Sequence, residues 1–546
     1  MKKRTTRTSR ETVRMDVLMA FVLFGLIMIR YCYYGFTYNI QLDDYIQYHN
    51  FNAFYPDRLD HLIKIGSFSA RPLAGLTDVF VWSNFYSNMI AAVAILSAMY
   101  AVSGVLLHAV FRRRFGTGSV FYVVYALLPL GFEGSYWVSA SSRILVGLFF
   151  AAISLLAFDN WCLRGKKIQL VLFAVFQFIA FCYYEQIVLF SVAATLVVML
   201  AVSKSERKRA QGGWLFLAAG LCYLVITKLA PSGVYEGRSE LFLPTKEHYD
   251  VLVFKPAWRQ VKEIFLEGGS ATMVSGLKRG ASLIVSAPNY LYILFVLALC
   301  VSFFAAARSQ KRANVRFFAE LFAGIFLAAA PLAVFFVLSA PWLGVRNAVP
   351  SFCGLALAAD ALSDLVFGQM RDGAKKTAVF ATVLAGLCCV SSVSELTDYR
   401  AVTQGDTRVC SAAAEAIADL TAPVGAKRGV WLLNVEPSYA ENVNFAYHEH
   451  GYGVTSSTWA MTGAVAAVSN RRTVAENFAL RPMAAGTPYQ ATDEELASKT
   501  VFWYDGSAFT RVSLTANGAG WMVNAGGKTY GSLERDENGD LRLQLA

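Results

Sequence analysis

The chain has 546 residues, of which 56% are hydrophobic and 16% charged, with a net charge of +11 and a mean hydropathy of +0.43. Soluble domains carry about a quarter charged residues, so an ordinary soluble enzyme is excluded. Charge-free runs such as Val17–Ile29, Ile90–Val110 and Ile168–Tyr184 approach the length that crosses a bilayer. The positive charge does not mark a nucleic-acid face. Of the 49 basic residues, 23 fall in six short clusters between hydrophobic runs, and the segment beyond Ser394 holds 12 basic against 17 acidic residues. Of the nine cysteines only Cys410 falls in that polar segment, so no disulfide framework is expected.

The six clusters, Lys2–Arg14, Arg112–Arg114, Arg164–Lys167, Lys204–Arg209, Arg308–Arg316 and Arg371–Lys376, occupy every second loop. Lysine and arginine in short loops stay cytoplasmic. This predicts a polytopic α-helical membrane protein of eleven helices, N-terminus inside and C-terminus outside. The expected spans are 15–36, 86–110, 118–132, 142–161, 168–184, 187–203, 213–230, 288–307, 317–339, 349–369 and 376–394. The first run lacks a small-residue cleavage site and is expected to be a retained helix.

Two long loops, 37–85 and 228–289, are then external. Within the second, Trp258–Ile284 mixes apolar positions with Arg259, Lys262, Lys278 and Arg279, the composition of a helix lying on a bilayer. Residues 1–394 form the membrane domain. Residues 395–546, rich in Gly, Asn, Asp and Thr, are expected to form a small external α/β or α+β domain. Its β-rich runs are Val430–Val435, Val501–Tyr504 and Leu541–Leu545, its helix Arg408–Leu420, and its hairpin turns Asp505-Gly506 and Asn538-Gly539.

Chemistry is sought at the external face. Adjacent Asp43 and Asp44 repel each other, which raises the pKa of one and suits a general base near neutrality; a solvated acid pair or a helix cap reads equally from the same residues. Glu185 interrupts a long apolar stretch, either as a functional intramembrane acid or at a hairpin reaching water. Glu133 lies in the turn Gly131-Phe132-Glu133-Gly134, beside Tyr136 and Trp137. Arg71, Arg143, Arg346 and Lys228 stand singly at external membrane edges; converging, they would bind phosphate, and separately they would anchor to headgroups. Asp360 and Asp364 are read as a proton relay or a polar helix interface. His448-Glu449-His450 offers too few ligands for a metal site. No Walker loop, dinucleotide fingerprint, zinc motif or nucleophile elbow is present. No metal site or cofactor is therefore assigned, and a divalent-cation requirement is left open.

The first helix followed by Gln41-Leu42-Asp43-Asp44-Tyr45 and Ser69-Ala70-Arg71-Pro72-Leu73 resembles integral-membrane glycosyltransferases of the GT-C superfamily, in particular bacterial glucosyltransferases of the GtrII-like kind. The turn Glu133 to Arg143, the hairpin Tyr184-Glu185-Gln186, and Arg346-Asn347-Ala348-Val349-Pro350 fit the same pattern. The resemblance covers the membrane part, and the tail matches by position only. It implies transfer of a sugar from a polyprenyl-phosphate donor to a hydroxyl of a cell-surface glycan or glycoconjugate at the outer face, usually with inversion. It also implies that the aspartate after the first helix, Asp43 or Asp44, is the catalytic base. The sequence reading favours Asp44 helped by Asp43, with Arg71, Arg143, Arg346 and Lys228 on the donor phosphate and Glu133, Glu185, Tyr136 and Trp137 on sugar and acceptor. A lipid-linked polysaccharide polymerase or ligase is the rival enzyme. A lipid or polysaccharide transporter is the rival non-enzyme, which would predict inverted repeats that the sequence does not display.

Overall fold

The computed structural model describes residues 2–33, 35–51, 57–86, 88–231, 240–286, 290–308, 317–368, 370, 372–422, 426–437, 453–518 and 520–546. It is a polytopic helical membrane protein with a C-terminal sheet domain. The helices used below are α1 (Lys2–Cys32), α2 (Pro72–Phe80), α3 (Met89–Arg114), α4 (Val120–Leu127), α5 (Phe132–Tyr136), α6 (Val138–Arg164), α7 (Lys167–Phe181), α8 (Glu185–Ala201) and α9 (Leu215–Leu229). They continue with α10 (250–286), α11 (Tyr290–Arg308), α12 (Phe317–Ala329), α13 (Phe352–Phe367), α14 (Gly373–Ala416) and α15 (Thr458–Val468).

Each of the eleven apolar stretches carries helix, and seven helical segments among the described residues are long and apolar enough to cross a bilayer. The stretch 118–132 does not stay continuous: α4 stops at Leu127, where Pro129 follows and removes a backbone donor, and the chain restarts as α5. Leu217, Leu221 and Leu229 on α9, Leu291 and Leu297 on α11, and Phe318 and Phe322 on α12 are all exposed. Apolar surface of that extent is stable against acyl chains and costly in water.

Two helices depart from the sequence expectation. The last apolar stretch and the helix expected at Arg408–Leu420 are one helix, α14, of 44 residues. At 1.5 Å per residue it is about 66 Å long, more than twice a hydrocarbon core. It runs through the expected boundary at Ser394 and carries Cys410, Ala413 and Ile417 into the core of the C-terminal domain.

The second is α10, which alternates α-helical with π-helical turns at 250–254, 263–268 and 271–275. From Ile264 on, its buried positions Ile264, Gly268, Thr272, Gly276, Gly280 and Ile284 recur every fourth residue. An α turn takes 3.6 residues and a π turn more than four, so a mixture keeps a period-four stripe on one face. The glycines admit α14. A Cβ on Gly280 would stand 2.2 Å from the Val390 carbonyl oxygen, and one on Gly276 2.8 Å from Ser391 Oγ. Arg279 then makes a bidentate ion pair with Asp398, both bonds 2.7 Å. The opposite side exposes Leu252, Trp258, Leu266 and Val274 together with Arg259, Lys262 and Lys278.

The C-terminal domain is built on a sheet of β1 (Arg428–Leu433), β2 (Phe478–Met483), β3 (Pro488–Tyr489), β4 (Thr500–Tyr504), β5 (Phe509–Asn517), β6 (Gly520–Ala525), β7 (Lys528–Arg535) and β8 (Leu541–Leu545), in the order β2-β1-β4-β5-β6-β7-β8-β3. β1 pairs in parallel with β2 and β4, and the remaining pairs are antiparallel. Asp505-Gly506 and Asn538-Gly539 lie in the β4–β5 and β7–β8 connections, with both glycines at positive φ.

Candidate functional site

Asp43, Asp44, Arg71, Glu133, Tyr136, Trp137, Arg143, Glu185 and Arg346, among the residues singled out from sequence, gather at the end of the helical bundle nearest the C-terminal domain. The chain leaves α1 and makes a tight 3-10 turn at Leu42–Tyr45. The turn separates the two acids: Asp44 is fully buried and Asp43 half-buried. Asp44 Oδ1 accepts from the backbone N–H of Ser139 (3.0 Å), and Oδ2 accepts from the Tyr38 hydroxyl (2.5 Å) and the Gln41 N–H (3.3 Å). The Tyr38 hydroxyl in turn accepts from the Val138 N–H at 3.0 Å. Val138 and Ser139 open α6, whose first amides have no partner inside the helix, so Asp44 and Tyr38 cap it from a distance. Burial outweighs these bonds and lifts the Asp44 carboxyl from 3.8 to about 7, and the neighbouring charge of Asp43 adds to the rise.

Around this cap lies an aromatic cluster. Tyr136, buried at the end of α5, stacks on Tyr31 at 4.9 Å and packs on Tyr38 and Tyr399 at 5.0 and 5.1 Å. Glu133 and Glu395 are electrostatic neighbours of Tyr399, which places Glu133 beside this cluster. Trp137 is buried and carries the Arg346 guanidinium over its ring at 5.3 Å. Close packing brings Arg346 here: a Cβ on Gly134 would sit 2.7 Å from the Arg346 carbonyl oxygen.

The neighbouring Asn347 extends the set. Its side-chain amide donates to the Tyr184 hydroxyl (2.7 Å) and to Gln186 Oε1 (3.0 Å), and the Gln186 amide donates back to the Asn347 carbonyl at 3.0 Å. Tyr184 lies under the Arg71 guanidinium at 4.3 Å. Arg71 Nε donates to both oxygens of Glu185, at 3.0 and 3.1 Å. A continuous chain of contacts therefore runs from Asp44 through Ser139, Trp137, Arg346, Asn347 and Tyr184 to Arg71 and Glu185.

Arg143 joins by another route. It donates from Nε and Nη2 to Asp78 Oδ2, at 3.2 and 2.9 Å, while the Ser142 hydroxyl donates to Oδ1. Asp78 lies on α2, seven residues beyond Arg71, which stands at the N-cap of that helix. Arg71 and Arg143, single in the sequence, thus each carry a carboxylate partner in the fold. Lys228, exposed at the end of α9, joins no ion pair or ring contact among the described residues. Its convergence with the arginines is not seen. Tyr38, Asp78 and Tyr399 were not anticipated. Asp78 had a signal, a lone acid in the apolar run Pro72–Phe80.

At the opposite end of the bundle Glu320, Asp360 and Asp364 are buried, with one carboxylate oxygen from each within 4.8 Å of the others. This trio has the donor set of a small cation site. Asp360 also accepts from the backbone N–H of Gly118 (2.5 Å) and Val120 (3.1 Å), and the Thr117 hydroxyl donates to Glu320 at 2.5 Å. Asp360 therefore caps α4, in keeping with a polar helix interface. His448, Glu449 and His450 lie outside the described residues.

No family model matches the chain, and no curated protein matches it.

Proposed function

We propose that the protein is a glycosyltransferase of the GT-C kind. Eleven spans, an inside N-terminus and an outside C-terminal domain would put the site at the outer face of the cell membrane. It moves a hexose from a polyprenyl-phosphate carrier to a hydroxyl of a surface glycan. The reading is carried by one observation: an acidic turn whose Asp44 carboxylate is held against the start of α6 is continuous with Arg346 and Arg71 at a single end of the bundle. A lipid-linked donor keeps its tail among acyl chains and its phosphate at headgroup depth, where such a set can meet it.

The roles within the acid pair are exchanged relative to the sequence expectation. Asp44 has no exposed surface and both oxygens are engaged, so it holds the loop; half-buried Asp43 is the base. The acceptor hydroxyl gives its proton to Asp43 as its oxygen attacks the anomeric carbon. The bond from that carbon to the phosphate oxygen breaks, and polyprenyl phosphate leaves with the electron pair. Arg346, with Arg71 and Arg143, stabilises the charge gathering on that phosphate. Glu133, Tyr136 and Trp137 shape the sugar pocket, and Glu185 holds Arg71 in place.

The test is transfer from a panel of polyprenyl-phosphate hexoses by the full chain in lipid nanodiscs. Asp43→Asn, at normal expression, is expected to lose about a hundred-fold or more in rate, the contribution of a general base starting at about that level. Undiminished transfer by that variant, or no transfer from any donor by the wild type, overturns the reading.

A further inference from the structure

We infer that the C-terminal domain positions the acid-bearing loop, and that Gly463 on α15 is the residue through which it does so. The inference rests on the glycosyltransferase reading only for its catalytic consequence.

Consecutive residues of the loop belong to different bodies. Asp44 is bound to the opening amide of α6 in the membrane bundle. Tyr45 is buried in the hydrophobic core of the C-terminal domain, in one cluster with Cys410, Ala413, Met461 and Ala464. The fit is closest at Gly463, where a Cβ would stand 2.8 Å from the Tyr45 carbonyl oxygen, 2.9 Å from its Cβ and 3.5 Å from the Cβ of His49. Only a hydrogen fits there, so glycine is required by approach and not by backbone angle.

α15 cannot retreat easily. The Val454 N–H donates to Asp406 on α14 (2.9 Å), the Leu480 N–H on β2 donates to Thr462 (2.9 Å), and Cys410 meets the Met461 sulfur at 3.8 Å. The loop is also tied to α14, where the Gln41 amide donates to the Tyr399 carbonyl at 3.2 Å. A displacement of α15 is therefore delivered to Asp44 within one residue.

The test uses the full chain in nanodiscs with Gly463→Ala and Gly463→Val, and with Val523→Ala as the comparison. Val523 is buried in β6, in a core cluster that does not include Tyr45, so its truncation weakens the domain without touching the loop. Hydrogen exchange followed by mass spectrometry is read on peptides covering 40–49. Gly463→Val is expected to speed exchange there about ten-fold or more, Gly463→Ala less, and Val523→Ala hardly at all. In the transfer assay Gly463→Val is expected to lower kcat by about a hundred-fold, the scale of a 1 Å misplacement, with the donor KM within about two-fold. An unchanged loop in both glycine variants, or equal loosening by Val523→Ala, overturns the inference. Should Gly463→Val fail to fold, Gly463→Ala decides. The exchange arm needs no substrate, so a wild type without transferase activity would sink the enzymatic reading and leave this one standing.

Discussion

Asp44 makes the seating of its loop depend on pH. A carboxyl that ordinarily ionises at 3.8 does so here at about 7, so the closed loop holds a proton that the opened, hydrated loop releases. At about 1.36 kcal/mol per pK unit the difference is worth roughly 4 kcal/mol. Because the folded value is the raised one, this stability is fully present below about pH 4, falls as pH climbs, and is gone above about pH 7. Asp44→Asn keeps an acceptor for the Ser139 N–H, gives up the acceptor that Tyr38 and Gln41 donate to, and has no proton to lose, so its protection is set by packing and is independent of pH. The measurement is the opening free energy of the loop from hydrogen exchange, corrected for intrinsic rates, between about pH 4.5 and 8.5. The wild type is expected to lose about two to three hundred-fold in protection across that range, and Asp44→Asn to be flat and the better protected variant at the alkaline end. A flat wild-type profile, or the same slope in Asp44→Asn, would refute the reasoning.

Arg143→Ala strands Asp78, whose side chain is only 3% exposed, and is expected to destabilise the bundle by about 3–5 kcal/mol. The double change Arg143→Gln with Asp78→Asn should recover most of that loss, as read from melting in detergent. Asn347→Ala removes buried bonds to Tyr184 and Gln186 and is expected to cost about 2–4 kcal/mol. Its transfer rate should fall with it, because the Arg346 turn loses its tether. For topology, Ser513→Cys on β5 should react with an impermeant maleimide on intact cells. Ser205→Cys, between α8 and α9, should react only after permeabilisation; the reverse pattern would invert the protein in its membrane.

The helical bundle was legible because lipid demands long apolar runs and because basic clusters mark alternate loops. Pro129 could have warned that 118–132 breaks. The extent of α14 was hidden by the change in composition near Ser394: hydropathy falls there and Gly405 follows, but no proline interrupts the backbone and the helix runs through the glycine to Ala416. The site was legible as a set of residues at one end, not as a set of pairings. Which acid of the pair would be buried depends on Tyr38 and on amides 95 residues further along. That Arg71 and Arg143 would be neutralised depends on Glu185 and Asp78, 114 and 65 residues away. Such partnerships are made by packing and leave no mark in local spacing.

The four-residue repeat of α10 has an evolutionary and engineering meaning. Along a stripe that returns every fourth position, gain or loss of one residue turns everything beyond it by about a quarter of a turn. It would carry Gly276 and Gly280 off Ser391 and Val390 and swing Arg279 away from Asp398. Gain or loss of four restores the face and shifts it one step along α14. Length in this segment is thus effectively quantised, and homologous chains should differ here by fours or not at all.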